Sequence, residues 1–346
     1  MCGNVSFALG KFYATEHAVV VTCYSDTDKH WAYHSLSHLD LNRYSTSTAQ
    51  PGLSVKTISE ILLPLPPSAT QARITCLLNN TDCLLDSIES NQQQLESLAN
   101  QAKAKVLDLA IRGILVPQNS NVEPASVLLE QIYEDKEHLI AEGKTKRDKK
   151  ESYIFRGDDN SYYEKLGDGK LVCIDDEIPF EVPESWEWYR LSNLWDLLSG
   201  RDLTPSEYSR NKMGIPYITG ASNFTGSDLI INRWTDCPKV IANNGDLLIT
   251  CKGTIGEMKI NTQGDIHIAR QIMAIQNPND LSIEFLAIVL ESFILRIVLA
   301  ARGVIPGISR EDILDMIAPL PPIEEQTRIA DAVQDTLKTI EILLPR

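Results

Sequence analysis

A 24-residue element occurs twice in the chain, and this repeat constrains the fold more than any other sequence feature. Residues 51–74 align with residues 306–329 at a constant offset of 255 positions and without a gap. Eleven residues are identical in the two copies. They are an initial Pro-Gly, a Ser, an Ile, the run Pro-Leu-Pro-Pro, and a final Gln, Arg and Ile. A repeat of this kind indicates that one supersecondary unit is used twice.

Each copy predicts the same succession of local structures. Pro-Gly followed by an apolar residue and Ser is typical of a turn and a helix N-cap. A short amphipathic helix is expected over Ser54–Leu62 and over Ser309–Ile317. The Pro-Leu-Pro-Pro run cannot continue a helix and predicts an extended strut, directly before a long helix. The alternative interpretation of the run is a proline-rich ligand for a partner domain.

The two copies differ in what precedes and follows them. The second closes a globular unit that opens near Ile178 and ends at Pro322, a length of 145 residues. The first ends at Pro67, so its unit is shorter by 78 residues. The final helix stops with the chain at Arg346. The sequence therefore predicts a two-repeat protein shortened at both ends, whose incomplete first domain exposes apolar residues such as Val19–Val21.

A long helix is predicted between the two globular units, because neither proline nor glycine occurs from Gln71 to Arg112. With Ile74 at heptad position a, eight of eleven a and d positions are apolar, which is typical of a coiled-coil seam. A second helix is predicted over Ala125–Glu142. The helix from Gln71 and the one over Glu324–Leu344 begin after the same motif at opposite ends of one domain. We therefore expect them to pack antiparallel.

The second globular unit carries the pattern of a mixed α/β domain with a twisted sheet. Apolar runs predict strands at Ile215–Thr219, Leu229–Ile231, Leu247–Cys251, Met258–Ile260 and Ile272–Ile275. Two closing helices are expected near Ile283–Ala301 and Ser309–Ile317. The predicted fold class is mixed α+β, with two α/β domains, the first incomplete, separated by long antiparallel coiled-coil helices.

Five segments follow from these patterns. They are the end of a first domain at 1–67, a helical spacer at 68–150, a linker at 151–177, a second domain at 178–322 and a distal helix at 323–346.

The strand that starts at Gly245 runs into a Gly-x-x-Gly loop after Lys252. Glycines such as Gly253 and Gly256 permit close backbone approach to a partner such as a phosphate. Taken by itself the pattern favours a hairpin turn, and both interpretations stay open.

Charge argues against a chain that binds polyanions by itself. The formal net charge is −15, with a pI of about 4.9, whereas such proteins usually show a basic face. One dense basic run occurs, over Lys144–Lys150. It reads as a solvated linker or as a contact with a DNA backbone.

No reaction centre emerges from the sequence. Gly143-Lys144-Thr145 lacks the glycine that a phosphate-binding loop needs five places earlier, where His138 stands. The seven cysteines are odd in number and form no C-x-x-C pair, which argues against zinc or a disulfide framework and favours a reducing, cytoplasmic setting. The apolar stretch Leu281–Ala301 contains Glu284, Glu291 and Arg296, so we expect a buried helix rather than a membrane span.

Together these features resemble the specificity subunits of Type I restriction–modification systems. The resemblance rests on the element Pro-Leu-Pro-Pro-x-x-Glu-Gln-x-Arg-Ile over Pro319–Ile329. It is supported by Pro183-x-x-Trp186, by the Gly245–Ile249 strand and by the long helix between two globular units. The first copy departs from the pattern at Thr70, where the glutamate would stand.

The resemblance implies two target recognition domains, each of which reads one half of a bipartite sequence in double-stranded DNA. It implies helices that dock two methyltransferase subunits, and motor-nuclease subunits that join for cleavage. The subunit itself would be non-catalytic and hold no cofactor, because S-adenosylmethionine and ATP would be bound by partner subunits. No membrane association is expected.

Candidate site residues follow from the chemistry of base and phosphate recognition, in which Arg and Lys dominate. The predicted DNA contacts are Lys252, Arg302, Arg201, Arg233, Gly253 and Gly256. The predicted partner-docking residues are Gln71, Arg73, Ile74, Gln326, Arg328 and Ile329.

Two other classes of function remain open. The chain could be a non-catalytic coiled-coil scaffold that binds proteins without reading DNA. A standalone DNA methyltransferase is the third hypothesis, although it would need a cofactor loop of its own.

Overall fold

The first of the protein's two compact units is built from helices. A computed structural model of the chain describes residues 3–15, 18–24, 26–45, 52–119, 121–144, 151–225, 228–300 and 307–344, with the backbone alone for 295–300. The units comprise Met1–Glu96 and Ser97–Arg346. The first contains α1 (Lys29–His38), a 3-10 turn at Leu41–Tyr44, α2 (Val55–Ser59) and the beginning of α3 (Ser68–Ile111). No strand occurs among its described residues.

The second unit adds five helices to the end of α3. They are α4 (Ala125–Ala141), α5 (Leu191–Leu194), α6 (Ile283–Ala300), α7 (Arg310–Leu314) and α8 (Ile323–Leu343). The predictions of α3, α4 and α6 are confirmed to within a few residues at each end. Within the described residues no helix is long and apolar enough to cross a membrane.

Thirteen strands are present in the described part of the second unit. They are β1 (Ser152–Arg156), β2 (Tyr162–Leu166), β3 (Leu171–Cys173), β4 (Glu187–Arg190), β5 (Asp196–Ser199), β6 (Ile215–Ile218), β7 (Trp234–Thr235), β8 (Ile241–Ala242), β9 (Leu247–Thr250), β10 (Met258–Ile260), β11 (Ile266–Ile268), β12 (Ile272–Gln276) and β13 (Ile317–Leu320).

These strands form four sheets. One sheet has the order β10-β9-β12-β5 and is antiparallel throughout. A second has the order β7-β6-β11-β8, in which β6 and β11 run parallel. Apolar side chains from both sheets, such as Leu248, Ala274, Ile218 and Ile268, form one buried cluster. A larger cluster joins the end of α3 to α4, α6, α8 and β4.

Three sequence predictions need correction here. Leu229–Ile231 is not a strand, because the backbone N–H and C=O of Ile230 bond to the backbone and side chain of Asn223 instead of to a sheet. The segment 151–177, predicted as a linker between domains, folds into the antiparallel sheet β1-β2-β3. The helix from Ser309 ends at Leu314, and Ile317 begins β13, which pairs with β4.

The repeated element has the same hydrogen bonds in both units. In the first, Gln71 Oε1 accepts from the backbone N of Asp28 at 2.8 Å, and its Nε2 donates to Pro66 O at 2.8 Å. In the second, Gln326 Oε1 accepts from the backbone N of Ser282 at 3.0 Å, and its Nε2 donates to Pro321 O at 2.9 Å. Each glutamine is nearly fully buried. We call this pair of bonds the glutamine clamp.

Within each unit, the clamp joins the same two parts of the fold. Asp28 and Ser282 are the residues at which α1 and α6 begin. Ser54 and Ser309 cap α2 and α7, and each hydroxyl accepts from a backbone N–H three residues later at 3.1 Å. The first unit therefore contains counterparts of α6, α7 and the start of α8. Its apolar run at Val19–Val21 is 40–56% exposed.

The end of α3 and α8 run antiparallel, which confirms the sequence prediction. Lys103 Nζ lies 3.6 Å from Glu341 Oε1, near the end of α8. Further along, Arg328 Nη1, near the start of α8, donates to Pro117 O at 3.2 Å. Glu325 is buried at the same end, where it accepts bonds from the side chains of Gln118 and Trp186. The glutamate of the second copy thus stabilises the junction between helix and domain.

Gln326→Ala should lower the free energy of unfolding of the second unit by about 1–3 kcal/mol, because it leaves the part-buried N–H of Ser282 and the buried carbonyl of Pro321 without their side-chain partner. Urea unfolding followed by circular dichroism measures this change. Glu324→Ala, at an exposed position of the same helix, is the matched control and should change stability by less than about 0.5 kcal/mol. Equal losses in the two variants would contradict the clamp.

Arg190 attaches the sheet β1-β2-β3 to the rest of the second unit. Its guanidinium makes two bonds to the Glu164 carboxylate, at 2.9 and 2.7 Å, and one to Asp315 O at 2.7 Å. Burial by itself raises the pKa of Glu164, but the bonds from Arg190 outweigh it, so the pKa lies below its usual 4.5. The carboxylate is therefore ionised and paired at neutral pH.

This pair predicts a pH dependence. Because the pKa of Glu164 is lower in the folded state, its stabilising contribution is complete above about pH 4.5 and is lost as the pH falls through the folded pKa. Urea unfolding of the wild type should therefore show a steeper loss of stability between about pH 5 and pH 3 than unfolding of Glu164→Gln. Parallel pH profiles for the two proteins would show that the pair contributes nothing.

Candidate nucleic-acid interface

One end of the sheet β10-β9-β12-β5 collects several of the predicted basic residues. Strand β5 ends at Ser199 and β9 ends at Thr250, and both are adjacent to the start of β12. The residues that follow, Arg201 and Lys252, therefore project from the same end of the sheet.

Backbone bonds fix these positions. Gly200 N donates to Ile272 O at 3.1 Å and Arg201 N donates to Ile268 O at 2.9 Å. Gly200 is required, because a Cβ there would lie 2.2 Å from Ala269 O.

Arg270 belongs to the same group, although the sequence did not single it out. It lies in the tight connection between β11 and β12. Its neighbour Gln271 accepts a bond at 2.8 Å from Cys251 N, which places Arg270 between Arg201 and Lys252. Its side chain is 70% exposed and pairs with Asp202 at 2.8 Å. We call Arg201, Arg270 and Lys252 the basic sheet end.

Arg233 is linked to this group through aromatic side chains. Its guanidinium carbon lies 5.0 Å from the ring centroid of Tyr208. Tyr208 packs on Tyr217, and Tyr217 on His267, with centroids 5.4 and 5.0 Å apart. His267 is fully buried, and its Nε2 donates to Arg201 O at 2.9 Å. The series of rings that begins beneath Arg233 thus ends at the backbone carbonyl of Arg201.

A second cation–aromatic pair lies close to Arg233. Lys212 Nζ is 5.9 Å from the ring centroid of Trp234, the residue after Arg233. This pair was missed by sequence reasoning because the pattern of residues 209–214 indicates only an irregular loop.

Nearby acidic charge is neutralised within the protein. Lys239 bonds the Glu207 carboxylate at 2.8 Å, and Thr204 donates both its backbone N–H and its hydroxyl to it. These bonds, with Lys239 first, lower the pKa of Glu207 to about 2. Glu207 is therefore charged but paired at neutral pH, and it does not cancel the charge of Arg233.

The loop after Lys252 is a hairpin turn, one of its two sequence interpretations. Gly256 N donates to Thr250 O, and β9 and β10 pair directly on either side. Gly256 has φ +85°, and a Cβ there would lie 2.6 Å from Ile294 Cγ2, so packing against α6 requires this glycine. Gly253 has φ +80° and open space around it. It remains a candidate for close approach of a ligand.

Other predicted residues divide into three groups. Arg302 and residues 145–150 of the basic run lie outside the described residues. Gln71, Gln326 and Ile329 are buried within the chain, and the two glutamines form the clamp. The docking of partners by their helices stays a prediction. Arg73 is exposed and Ile74 and Arg328 are half-buried, and their partner contact stays a prediction.

Gly256→Ala should destabilise the second unit more than Gly253→Ala. Both changes place a side chain at positive φ, at a cost of about 1–2 kcal/mol, but only the first also overpacks against Ile294, which adds about 1–3 kcal/mol. Urea unfolding of both variants gives the difference. If the two losses are equal, packing is not the reason for the glycine at 256.

The comparisons with known proteins agree with this architecture. The family model described as "Type I restriction modification DNA specificity domain" matches residues 1–97 and 183–344. The specificity subunit of the Type I restriction enzyme EcoprrI from Escherichia coli is 39% identical over 102 residues, which cover 30% of this chain and 25% of that protein. The specificity subunit of EcoAI, also from Escherichia coli, is 28% identical over 264 residues, 70% of this chain and 41% of that protein.

A solved structure shares the fold. It comes from work described as the structural basis of complex assembly and conformational transition of the type I R-M system, and it superposes with a TM-score of 0.54 at 18% identity. The match covers 90% of this chain and 64% of that one. The chain belongs to the Type I restriction modification DNA specificity domain family, and it spans less than half the length of the two curated relatives named above.

Proposed function

We propose that the chain is a DNA sequence-recognition subunit of a Type I restriction–modification complex, and that the basic sheet end of the second unit contacts its DNA target. The observation that carries the proposal is the convergence of Arg201, Arg270 and Lys252 at one end of a sheet in a chain of this family. All three residues are exposed. They extend from connections whose backbones are fixed, so each cation is presented from a rigid base.

The chemistry of these groups suits base and phosphate contacts. A guanidinium reads the O6 and N7 atoms of guanine through two parallel bonds, whereas a lysine ammonium pairs with a phosphate or a single acceptor. Arg233 over Tyr208 adds a flat cationic surface beside the group. Because Arg270 is paired with Asp202, its charge becomes available to DNA only when that ion pair opens.

Net charge argues for partners in this binding. Residues 178–322 contain 12 basic and 17 acidic side chains, a net charge of −5. Much of the phosphate neutralisation would therefore come from other subunits. The proposed partners are double-stranded DNA, two methyltransferase subunits and motor-nuclease subunits, in the cytoplasm. S-adenosylmethionine and ATP would be bound by the partner subunits, and this subunit would be non-catalytic.

A second candidate is a protein-binding scaffold, and one observation favours it. From Leu77 onward, apolar heptad positions of α3 in the first unit are exposed, with Leu77 at 67%, Leu84 at 65% and Ile88 at 56%. An apolar seam of this kind is suited to pairing with another helix. A scaffold without DNA reading would assemble with methyltransferase subunits but give no sequence preference.

The deciding experiment is co-expression with a Type I methyltransferase subunit, followed by DNA binding of the purified complex and of the isolated chain. We expect co-purification, sequence-specific binding by the complex, and weak binding by the chain alone. Co-purification without sequence preference would favour the scaffold. Tight, specific binding by the isolated chain at physiological salt would show that partners are not required.

Within that complex, Arg201→Ala, Arg270→Ala and Lys252→Ala test the interface. Removal of a residue that reads a base should weaken binding by about 1–3 kcal/mol and relax specificity at one base position. Removal of a phosphate contact should weaken binding to all sequences alike and lower the salt slope by about one. Fluorescence anisotropy over a salt series distinguishes the two. Lys170→Ala, at an exposed position in the β2-β3 turn, is the matched control, and unchanged affinity in all three variants would remove the basic sheet end from the site.

A further inference from the structure

The sheet β1-β2-β3 lies in residues 98–182, the internal part of the chain that the family model does not match. Residues that are paired across neighbouring strands point to the same side of a sheet. The register therefore places two rows of three residues on the outer face, which consists of Tyr153, Lys165 and Leu171 in one row and Phe155, Tyr163 and Cys173 in the other. We call it the aromatic face.

The opposite side of this sheet packs against the core. Ile154 is 2% exposed and belongs to the main apolar cluster, against which Val172 also packs. Glu164 is held by Arg190 on the same side. The sheet is therefore anchored through one side, and this anchoring fixes the orientation of the aromatic face.

Four rings form a continuous series along the aromatic face and the adjoining helix α4. Tyr133 meets the edge of Tyr153, Tyr153 stacks on Phe155, and Phe155 stacks on Tyr163, with each pair of centroids 6.0 Å apart. Tyr153 is 40% exposed and Leu171 is 56% exposed. An aromatic and apolar face of this kind, presented by a rigid sheet, is typical of a binding surface.

Charged side chains lie on and beside the aromatic face. Residues 151–177 contain eight carboxylates and three basic side chains, a net charge of −5. Of these, Glu164 is paired with Arg190 on the opposite side, and Lys165 lies on the face itself. Asp159 accepts a bond from Tyr163 Oη at 2.9 Å and raises the pKa of that phenol. Burial, followed by the charges of Glu187 and Glu130, raises the pKa of Tyr153. Asp159 therefore places a negative charge at the edge of the rings, next to Tyr163.

We infer that the aromatic face binds an arginine- or lysine-bearing segment of a partner protein, with the cationic groups over Tyr153, Phe155 and Tyr163 and with Asp159 as a counter-ion. Cations bind over aromatic rings at distances up to about 6 Å, and the negative charge at the margin attracts them further. The same sheet already contains one such pair on its other side, where the Arg156 guanidinium lies 5.5 Å from the ring centroid of Tyr162.

The acidic margin also disfavours nucleic acid on this face. Single strands bind where aromatic rings alternate with a positively charged groove, and phosphates would be repelled by the carboxylates near the rings. The inference is independent of DNA reading by the basic sheet end, because the residues of the two surfaces do not overlap.

The test uses the full-length chain and a short peptide of alternating arginine and glycine. Binding is measured by isothermal titration calorimetry at physiological ionic strength, against a matched peptide in which neutral citrulline replaces each arginine. We expect the arginine peptide to bind and the citrulline peptide to bind at least about fivefold more weakly. The double substitution Phe155→Leu with Tyr163→Leu, which keeps apolar bulk but removes two rings, should weaken the arginine peptide about five- to tenfold.

Two further variants make the result specific to this face. Asp159→Asn removes one charge while it keeps a side chain that can form the turn, and it should weaken binding about two- to fivefold, with less effect at high salt. Tyr13→Leu, at a 91% exposed tyrosine outside the second unit, should leave the affinity unchanged.

Equal affinity of wild type and the ring double variant would overturn the inference, and so would equal binding of the two peptides. A single-stranded oligothymidylate that binds the wild type but not the ring double variant would assign the face to nucleic acid instead. A monomer–dimer equilibrium abolished by the ring substitutions would assign it to a second copy of the chain. Circular dichroism spectra of all variants confirm that each is folded.

Discussion

A buried glutamine that bonds to two backbone groups holds each copy of the repeated element in place. The side-chain amide of Gln71 or Gln326 donates to a carbonyl of the proline strut and accepts from the first N–H of a helix earlier in the chain. Proline lacks an N–H and cannot continue a helix. In the second unit the first half of the strut pairs with β4 as part of β13, and the clamp bonds Pro321 in its second half. The clamp thus fixes the end of the strut, from which the following helix leaves the domain. In the second unit, α8 meets the end of α3 through Lys103 and Glu341.

Local patterns in the sequence predicted much of this scaffold. Pro-Gly, Ser caps and Pro-Leu-Pro-Pro act through the backbone of their own neighbourhood, so their consequences can be read without knowledge of distant contacts. The long helix could be predicted in the same way, because an absence of proline and glycine is a local property of the sequence. The offset of 255 residues then identified the pairs Gln71 and Gln326, and Ser54 and Ser309, whose hydrogen bonds turned out to be the same.

What the sequence could not predict depends on distant partners. The strand Ile317–Leu320 exists because Glu187–Arg190, more than a hundred residues earlier, pairs with it. The segment 151–177 reads as a charged linker until Arg190 and Asp315 are seen to anchor its sheet. Arg270 was missed for the same reason, since it joins Arg201 and Lys252 only through the order of strands in the sheet. For Leu229–Ile231 the sequence predicted a strand that does not form. The backbone of Ile230 bonds to the nearby Asn223 and not to a neighbouring strand.

The basic sheet end is built entirely from connections between strands. Lys252 and Arg270 follow strands whose residues are all buried, and Arg201 follows β5, of which Leu197 is buried. The three basic side chains themselves are exposed. The residues that stabilise the sheet and those proposed to contact DNA are therefore different. A lineage of such proteins could exchange these three side chains for others and acquire new preferences while the folded architecture persists. In such a molecule, diversification and robustness do not compete for the same positions.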